Sequence, residues 1–338
     1  MKKSPVFAIL TALTATAPLG CGDSGSNLVR LDDAPLVEIA EKTSEVETAP
    51  TQAESSTSPA ETSLVNAEKK TPEVATAALA PLPKFDALIA SGAKIDKSGK
   101  SLDLTGVEFF TGLDVSADAE RWNAVKVVRG KGVLPSQALR AFAKLPNLTE
   151  FLWSDAVLSA ATDLDAALAE FAKAPNLKKL RLTGLRNGEK FPTAALVALA
   201  QAPQLADLDV SGSPATAADL TAVDWKNGFA KLTKLNLYQT QVGDAGVDAL
   251  LPLTDRLTSL NLDDAQIGPE SAKKIAQFTE LTFLHVGRST LDDASIAEFA
   301  KLGKLEKIHV TRSKATEAGA DALRAALPNS EVVSQPEN

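Results

Sequence analysis

A short apolar pattern, Leu-x-x-Leu-x-Leu with small variations, returns four times in the C-terminal part of this 338-residue chain. Its first residues are 25, 24 and 24 positions apart: Leu232, Leu257, Leu281 and Leu305. A unit of this length cannot bury its own apolar face, so it must stack on copies of itself. The pattern therefore predicts a solenoid built from stacked repeats.

Less regular units extend the series toward the N-terminus. Taking the second apolar position of each unit as the register gives nine positions, separated by 23 to 29 residues: Leu102, Val125, Phe151, Leu180, Leu208, Leu235, Leu260, Leu284 and Ile308. One further step of 24 residues reaches Val332. We therefore predict about nine repeats over residues 101–327 and a terminal strand over 328–333.

The segments between these units change from a period of two to a helical period. Apolar residues are three or four positions apart in 244–251, 269–276, 292–299 and 316–323. Pro269 suits a first helical position, where its missing N–H costs nothing. Residues 85–89 have the same spacing and indicate a short helix in an N-terminal cap over 82–100. Each repeat is thus predicted to contain one strand and one helix.

Residues from about 101 to 333 resemble the leucine-rich-repeat family. The turn Gly243–Gly246, with its Asp-Ala-Gly sequence, is similar to turns in the ribonuclease-inhibitor-like branch and in bacterial relatives. The family's capping asparagine is replaced here by Ala156, Leu185, Ser213, Thr240, Ala265, Ser289 and Ser313. The resemblance implies an α/β solenoid with a curved parallel sheet on the concave side and helices on the convex side. It also implies protein recognition through the concave face, usually without catalysis.

The N-terminus has the features of an export signal. Lys2 and Lys3 precede an uncharged apolar run over 6–19, which is short for a membrane span and indicates a secretory signal. The end of this run resembles a bacterial lipoprotein signal, in which a small residue, here Gly20, precedes the lipidated cysteine, here Cys21. We expect residues 1–21 to be this signal and the mature chain to be anchored in the bacterial cell envelope, at the outer membrane or surface. The alternative is an ordinary cleaved signal and a periplasmic or secreted protein.

Residues 22–81 differ in composition from the rest of the chain. They are rich in Ser, Thr, Ala, Glu and Pro and lack Phe, Trp and Tyr, and residues 22–80 hold 11 acidic and 4 basic side chains. Such a segment buries too little apolar surface to offset its ordering entropy, so we predict a disordered acidic linker. It would tether the repeat domain, residues 82–338, to a membrane. A linker without a selected length is the alternative.

Composition and motifs exclude several kinds of site. The net charge is −8, but residues 81–338 hold 32 acidic and 29 basic side chains, without the concentrated basic face that nucleic-acid binding needs. Cys21 is the single cysteine, so intrachain disulfides and cysteine metal clusters are excluded. We find no phosphate-binding glycine loop, no third ligand beside the two histidines, and no nucleophile with an oriented base. The sequence therefore predicts a protein without catalytic residues, metal or cofactor.

The repeat pattern identifies the side chains of the concave face, because residues that alternate with the buried leucines point outward. His285 and His309 fall in one column of adjacent strands, and Arg288 and Arg312 fall in another. We expect Asp264 to offset the charge of Arg288. The predicted partner-binding residues are Tyr238, Phe283, His285, Arg288, His309 and Arg312, and they favour an acidic protein partner.

Three alternatives remain open from the sequence. The face could be a solvated surface whose arginines point apart, since surface charges are common and mostly inert. The solenoid could be a structural or assembly component of the envelope without a specific ligand. A carbohydrate-binding role would need more exposed aromatic side chains than the two identified here.

Overall fold

The computed structural model describes residues 84–107, 113–158 and 164–335, without the side chains of 164 and 165. The predicted signal peptide with Cys21 and the predicted linker over 22–81 lie outside these residues. Among the helices that are described, none is both long enough and apolar enough to cross a membrane.

The strands form one sheet in which spatial neighbours follow chain order. They are β1 Lys94–Ile95, β2 Ser101–Asp103, β3 Val127–Leu134, β4 Glu150–Leu158, β5 Lys179–Leu182, β6 Asp207–Asp209, β7 Lys234–Asn236, β8 Ser259–Asn261, β9 Phe283–His285, β10 Lys307–His309 and β11 Glu331–Val333. The pair β1–β2 is antiparallel, and the pairs from β2–β3 to β10–β11 are parallel. Parallel neighbours need a crossover connection, which each repeat supplies.

The crossover connections contain short helices on the other side of the buried layer. These are α1 Phe85–Ala90 in the cap, then α2 Ala119–Ala124, α3 Ser136–Ala143, α4 Leu164–Phe171, α5 Thr193–Leu199, α6 Ala217–Thr221, α7 Gly243–Leu250, α8 Pro269–Ile275, α9 Asp293–Ala297 and α10 Glu317–Ala326. Two 3-10 helices, Leu251–Leu253 and Glu298–Lys301, continue α7 and α9. The helices predicted within residues 244–323 and the cap helix are confirmed.

The predicted register is confirmed from β4 to β11. Leu260 pairs with Leu235 on one side and with Leu284 on the other, and Ile308 pairs with Val332 in the terminal strand. Leu260 and Leu284 are fully buried. The leucines of successive repeats thus form continuous rows beneath the sheet, which is why the repeats cannot fold separately.

The predicted register is wrong in the second repeat. Val128, and not Val125, pairs with Leu102 and with Phe151. Val125 and Val128 are both fully buried, but Val125 ends α2, beside the buried ring of Trp122. Several valines close together fit the strand pattern equally well, so spacing could not distinguish the residue that ends the helix from the one in the strand.

Hydroxyl side chains form hydrogen bonds at the turn position where the family has asparagine. Ser213, Thr240, Ser289 and Ser313 are buried, and each donates a hydrogen bond of 2.6 to 2.8 Å to the carbonyl oxygen three residues before it. These bonds satisfy polar groups inside the turn that follows each strand, as buried polar groups require. Four repeats therefore keep a side-chain hydrogen bond at the position of the family's asparagine.

A second row of hydroxyls connects neighbouring repeats just before the strands. Thr233 donates to the Ala206 carbonyl at 3.3 Å, Thr258 to the Thr233 carbonyl at 3.2 Å, and Thr282 to the Thr258 carbonyl at 3.2 Å. Each bond spans one repeat interface. This threonine row links repeats through side chains, a role that hydroxyls bound to their own turn cannot perform.

The C-terminal edge of the sheet is covered by a charged side chain. Arg324 of α10 donates to the outward-facing Val332 carbonyl of β11 at 3.3 Å and to the Ser334 hydroxyl at 2.6 Å. It also forms an ion pair with Glu317 at 2.6 Å. An edge strand with free backbone groups can pair with another chain, and a charged side chain over that edge opposes such pairing.

Candidate functional site

The repeats of β4 to β10 each have a left-handed backbone at one equivalent position near the end of the strand. These residues are Asp155, Gly184, Gly212, Gln239, Asp264, Arg288 and Arg312. Glycine adopts this conformation without strain, whereas other residues bear a penalty of roughly 1 kcal/mol or more. Arg288, with φ 45°, and Arg312, with φ 54°, therefore occupy positions where glycine would be more stable. Strain of this kind is a reason to examine what these side chains do.

The last residue of several strands caps the turn that follows. Asp209, Asn236 and Asn261 each accept a hydrogen bond of 3.0 Å from the backbone N–H two residues later. His285 and His309 occupy the equivalent position in β9 and β10. Their rings instead contact each other, so the character of the concave face changes at these two repeats.

Three rings contact one another on the concave side of β9 and β10. His285 and His309 pair directly in the sheet, with ring centroids 4.6 Å apart. Phe283 lies 5.8 Å from His309 by the same measure. All three side chains are half-buried. The sequence prediction that the two histidines are neighbours is confirmed.

Asp263 is the charged residue at the centre of this region. Its side chain is 7% exposed, and its Oδ2 atom forms a short ion pair with Arg288 Nη2. The same oxygen lies 3.6 Å from His285 Nε2. The Arg288 guanidinium also lies over the Tyr238 ring, 5.0 Å from its centroid, which is within the range of a cation–π contact. Of the six predicted partner-binding residues, His285 and Arg288 therefore lie beside this carboxylate. Tyr238 and His309 lie beside those two residues.

We expected Asp264 to offset the charge of Arg288, but it is a weaker partner of Arg288 than Asp263 is. The Oδ2 atom of Asp264 lies 3.8 Å from Arg288 Nε, and the Asp264 side chain is 44% exposed. The sequence pattern indicates that both aspartates face the concave side, but it does not reveal which one is buried. The left-handed turn falls on Asp264, so Asp263 is the carboxylate that remains beneath the arginine.

Several polar atoms of this cluster lack partners. Asp263 Oδ1, His285 Nε2 and Arg288 Nε are buried and have no hydrogen-bond partner among the described residues. The contact between Arg288 and Asp263 is thus a single hydrogen bond, although a guanidinium and a carboxylate can form two. An unpaired buried polar atom is costly, so this arrangement differs from an optimised structural ion pair.

Burial changes the protonation of the cluster. Desolvation raises the pKa of Asp263, and the charge of Arg288 opposes that rise. Burial, followed by the charges of His309 and Arg288, lowers the pKa of His285 to about 4. Burial and then Lys307 lower the pKa of His309 as well. Both histidines are therefore neutral at pH 7, and the local charge comes from the aspartates and arginines.

Arg312 has a different environment from Arg288. Its side chain is exposed, and its backbone N–H donates to the Gln335 carbonyl at 2.7 Å. Within the described ranges its guanidinium forms no ion pair. The two arginines therefore differ in environment, because Arg288 is partly buried and ion-paired with Asp263, whereas Arg312 is exposed.

The described residues contain no group of three or more His, Cys, Asp or Glu side chains arranged to hold a metal ion. The cluster therefore offers hydrogen bonds, rings and charges to a ligand.

Comparison with known proteins identifies the repeats. Residues 230–251 and 257–276 match the family model described as leucine-rich repeat. No curated protein matches the chain. An internalin C2 from Listeria monocytogenes is similar to it at 19% identity, over 61% of this chain and 70% of that one, with a TM-score of 0.33. A leucine-rich-repeat protein from Leptospira interrogans is similar at 17% identity, over 69% of this chain and 60% of that one, with a TM-score of 0.42.

The first matched segment contains β7 and α7, and the second contains β8 and α8. Together with alternating strands and helices in one largely parallel sheet, they confirm the predicted α/β leucine-rich-repeat solenoid. At these low identities and TM-scores, the two solved structures do not indicate a ligand for this chain.

Proposed function

We propose that this leucine-rich-repeat protein is a non-enzymatic recognition module that binds another protein on its concave face. The binding surface, which we name the C-terminal concave patch, consists of Tyr238, Phe283, His285, Arg288, His309 and Arg312. The observation that carries the proposal is the continuous group of rings on β9 and β10. Aromatic and arginine side chains are enriched at the centres of protein interfaces, where they fill well-packed pockets from which water is excluded.

The two arginines have different roles in this proposal. Arg312 is exposed and is available to an acidic group of the partner. Arg288 is held by Asp263 and Tyr238 at the other side of the rings. Both tolerate a left-handed backbone that glycine would adopt more easily, and a selected contact with a partner explains why arginine is present there.

Site-specific crosslinking tests the proposal. A photoreactive phenylalanine analogue replaces Phe283 in the full chain, in the cells that produce the protein, and replaces exposed Val197 of helix α5 as the matched control. We expect an adduct of defined mass from position 283 and none from position 197. Adding Arg312→Glu should reduce the adduct at position 283 at least about tenfold, the effect of losing one 1.4 kcal/mol contact.

Two outcomes would contradict recognition at this patch. Equal adducts from positions 283 and 197 would indicate nonspecific proximity. No adduct at either position would favour the alternative in which the solenoid is a structural or assembly component of the envelope without a specific ligand.

We further propose that the chain is exported and anchored to a membrane by a lipid on Cys21, with residues 22–81 as the tether. The support is the sequence of residues 1–24, which resembles a lipoprotein signal. We expect Cys21→Ala to move most of the protein from the membrane fraction to the soluble fraction, because one signal for anchoring is lost. Fractionation after a carbonate wash measures this. Ser24→Ala is the control, and equal membrane retention of both variants would refute the anchor.

A further inference from the structure

The charges around Arg288 do not balance. Its guanidinium is shared by Asp263, through a short bond to Oδ2, and by Asp264, whose Oδ2 lies 3.8 Å from Nε. The adjoining rings of His285 and His309 carry no charge at pH 7. Two carboxylates and one guanidinium leave a net charge of −1, so this end of the patch attracts a further cation.

Gly287 of the neighbouring repeat leaves space for the buried carboxylate of Asp263. A Cβ atom at Gly287 would lie 2.8 Å from Asp263 Oδ1 and 2.7 Å from the Thr311 carbonyl oxygen. A side chain there would displace the carboxylate. Asp263 is 5% exposed, and its Oδ1 atom has no hydrogen-bond partner among the described residues. The repeat therefore holds a buried acceptor whose second oxygen is unused.

Tyr238 provides an aromatic face on the other side of Arg288. The distance of 5.0 Å from the guanidinium carbon to the ring centroid fits a cation–π contact. An aromatic face beside a carboxylate is a common arrangement for recognising a guanidinium, since this group stacks on rings and bonds carboxylates in one plane. Arg288 contacts both the Tyr238 ring and the Asp263 carboxylate. It makes only one hydrogen bond to the carboxylate, however, and its own backbone is strained.

We propose that Tyr238, Asp263 and Asp264 form a pocket for an arginine side chain of the protein partner, and that Arg288 occupies this pocket in the free protein. The proposal rests on the recognition function above and specifies one contact of it. An incoming guanidinium is not tied to a left-handed turn, so it can align with the Asp263 carboxylate more freely than Arg288, which makes a single hydrogen bond to Oδ2. This difference is the driving force for exchange. Arg288, once displaced, would face the partner together with Arg312.

Small probes can test the pocket without a known partner. Acetyl-arginine amide carries the guanidinium, and acetyl-citrulline amide has nearly the same shape without the charge. Tyr238 is the chain's only tyrosine, and His285 and His309 are its only histidines, so selective labelling of these residue types reports directly on the site by NMR. We expect the arginine probe to shift the Tyr238 ring signals saturably in the wild-type protein, and the citrulline probe to leave them unchanged.

Removing Arg288 should open the pocket. Arg288→Gly suits the left-handed turn, which Gly184 and Gly212 already occupy in other repeats. We expect this variant to bind the arginine probe at least about tenfold more tightly than the wild type, because the internal competitor is gone. Asp155→Gly makes the same backbone change at the left-handed position of β4, outside the patch, and should keep the wild-type affinity. Asp263→Asn added to Arg288→Gly should abolish the Tyr238 shift.

The proposal is overturned if the arginine probe shifts no Tyr238 signal in the wild type and in Arg288→Gly, or if citrulline acts equally. It is also overturned if Arg288→Gly and Asp155→Gly change the affinity alike. Circular dichroism tests whether each variant is folded. If Arg288→Gly is unfolded, the titration of the wild-type protein alone decides whether the pocket binds the arginine probe. Because these probes need no partner, failure of the pocket is distinguishable from failure of the crosslinking experiment.

Discussion

Replacing Leu260 and Leu284 together with aspartate is expected to unfold the repeats around β8 and β9. Both side chains are fully buried and pair with each other across the sheet. Each replacement removes roughly 2–5 kcal/mol of packing and places a carboxylate in an apolar environment. The expected loss in the free energy of unfolding is therefore at least about 5 kcal/mol. Helical circular dichroism at 222 nm and urea denaturation measure the loss.

The control for this prediction is Asn261→Asp, one residue away on the concave side. Asp209 already fills the equivalent position of β6 and caps its turn through Oδ1, so a carboxylate is compatible with the fold there. We expect this variant to remain within about 1 kcal/mol of the wild type. If the double leucine variant kept its circular dichroism spectrum and denaturation midpoint, the register of β8 and β9 would be refuted.

Acidification is expected to destabilise the protein through His285, and His285→Asn should remove that part of the pH dependence. The pKa of His285 lies near 4 in the folded protein, against 6.5 for an ordinary histidine. Between these values the unfolded chain binds a proton that the folded protein does not. Stability is therefore unaffected above pH 6.5 and falls as the pH drops toward 4, by up to about 3 kcal/mol.

The pKa values of two other groups in the cluster are shifted as well. The pKa of Asp263 is raised, so its contribution has the opposite sign: its charged form is penalised, and that penalty is relieved as the pH falls. The pKa of His309 is lowered, which adds to the loss at acid pH. The difference between wild type and His285→Asn reports the contribution of His285 together with its coupling to these two neighbours.

Asparagine is the appropriate replacement because Asn236 and Asn261 occupy the same position in β7 and β8 and cap the following turn. Denaturation with urea at pH 7.5 and at pH 4.5 gives the free energy of unfolding for both proteins. We expect His285→Asn to lose less stability between these two pH values than the wild type. An identical loss in the two proteins would show that His285 takes up no proton on unfolding.

The solenoid fold could be derived from the sequence because it depends on a pattern repeated nine times. An error at one unit, such as the choice of Val125 instead of Val128, leaves the neighbouring units unchanged. The terminal strand at Val332 was predicted by adding one period to Ile308, and the structure pairs these residues. Parallel strands in register also place residues of one column side by side, so the contact between His285 and His309 followed from spacing.

The partner of Arg288 could not be derived in this way. Asp263 and Asp264 are adjacent acidic residues with the same pattern environment, yet one is buried and the other is 44% exposed. Their difference depends on the left-handed turn at Asp264, on the space beside Gly287 and on the Tyr238 ring, which come from three different repeats. A one-dimensional pattern describes each repeat separately, whereas burial and protonation depend on what neighbouring repeats place around a charge. The period of the chain is therefore a property of its sequence, and the chemistry of the concave patch is a property of the packed repeats.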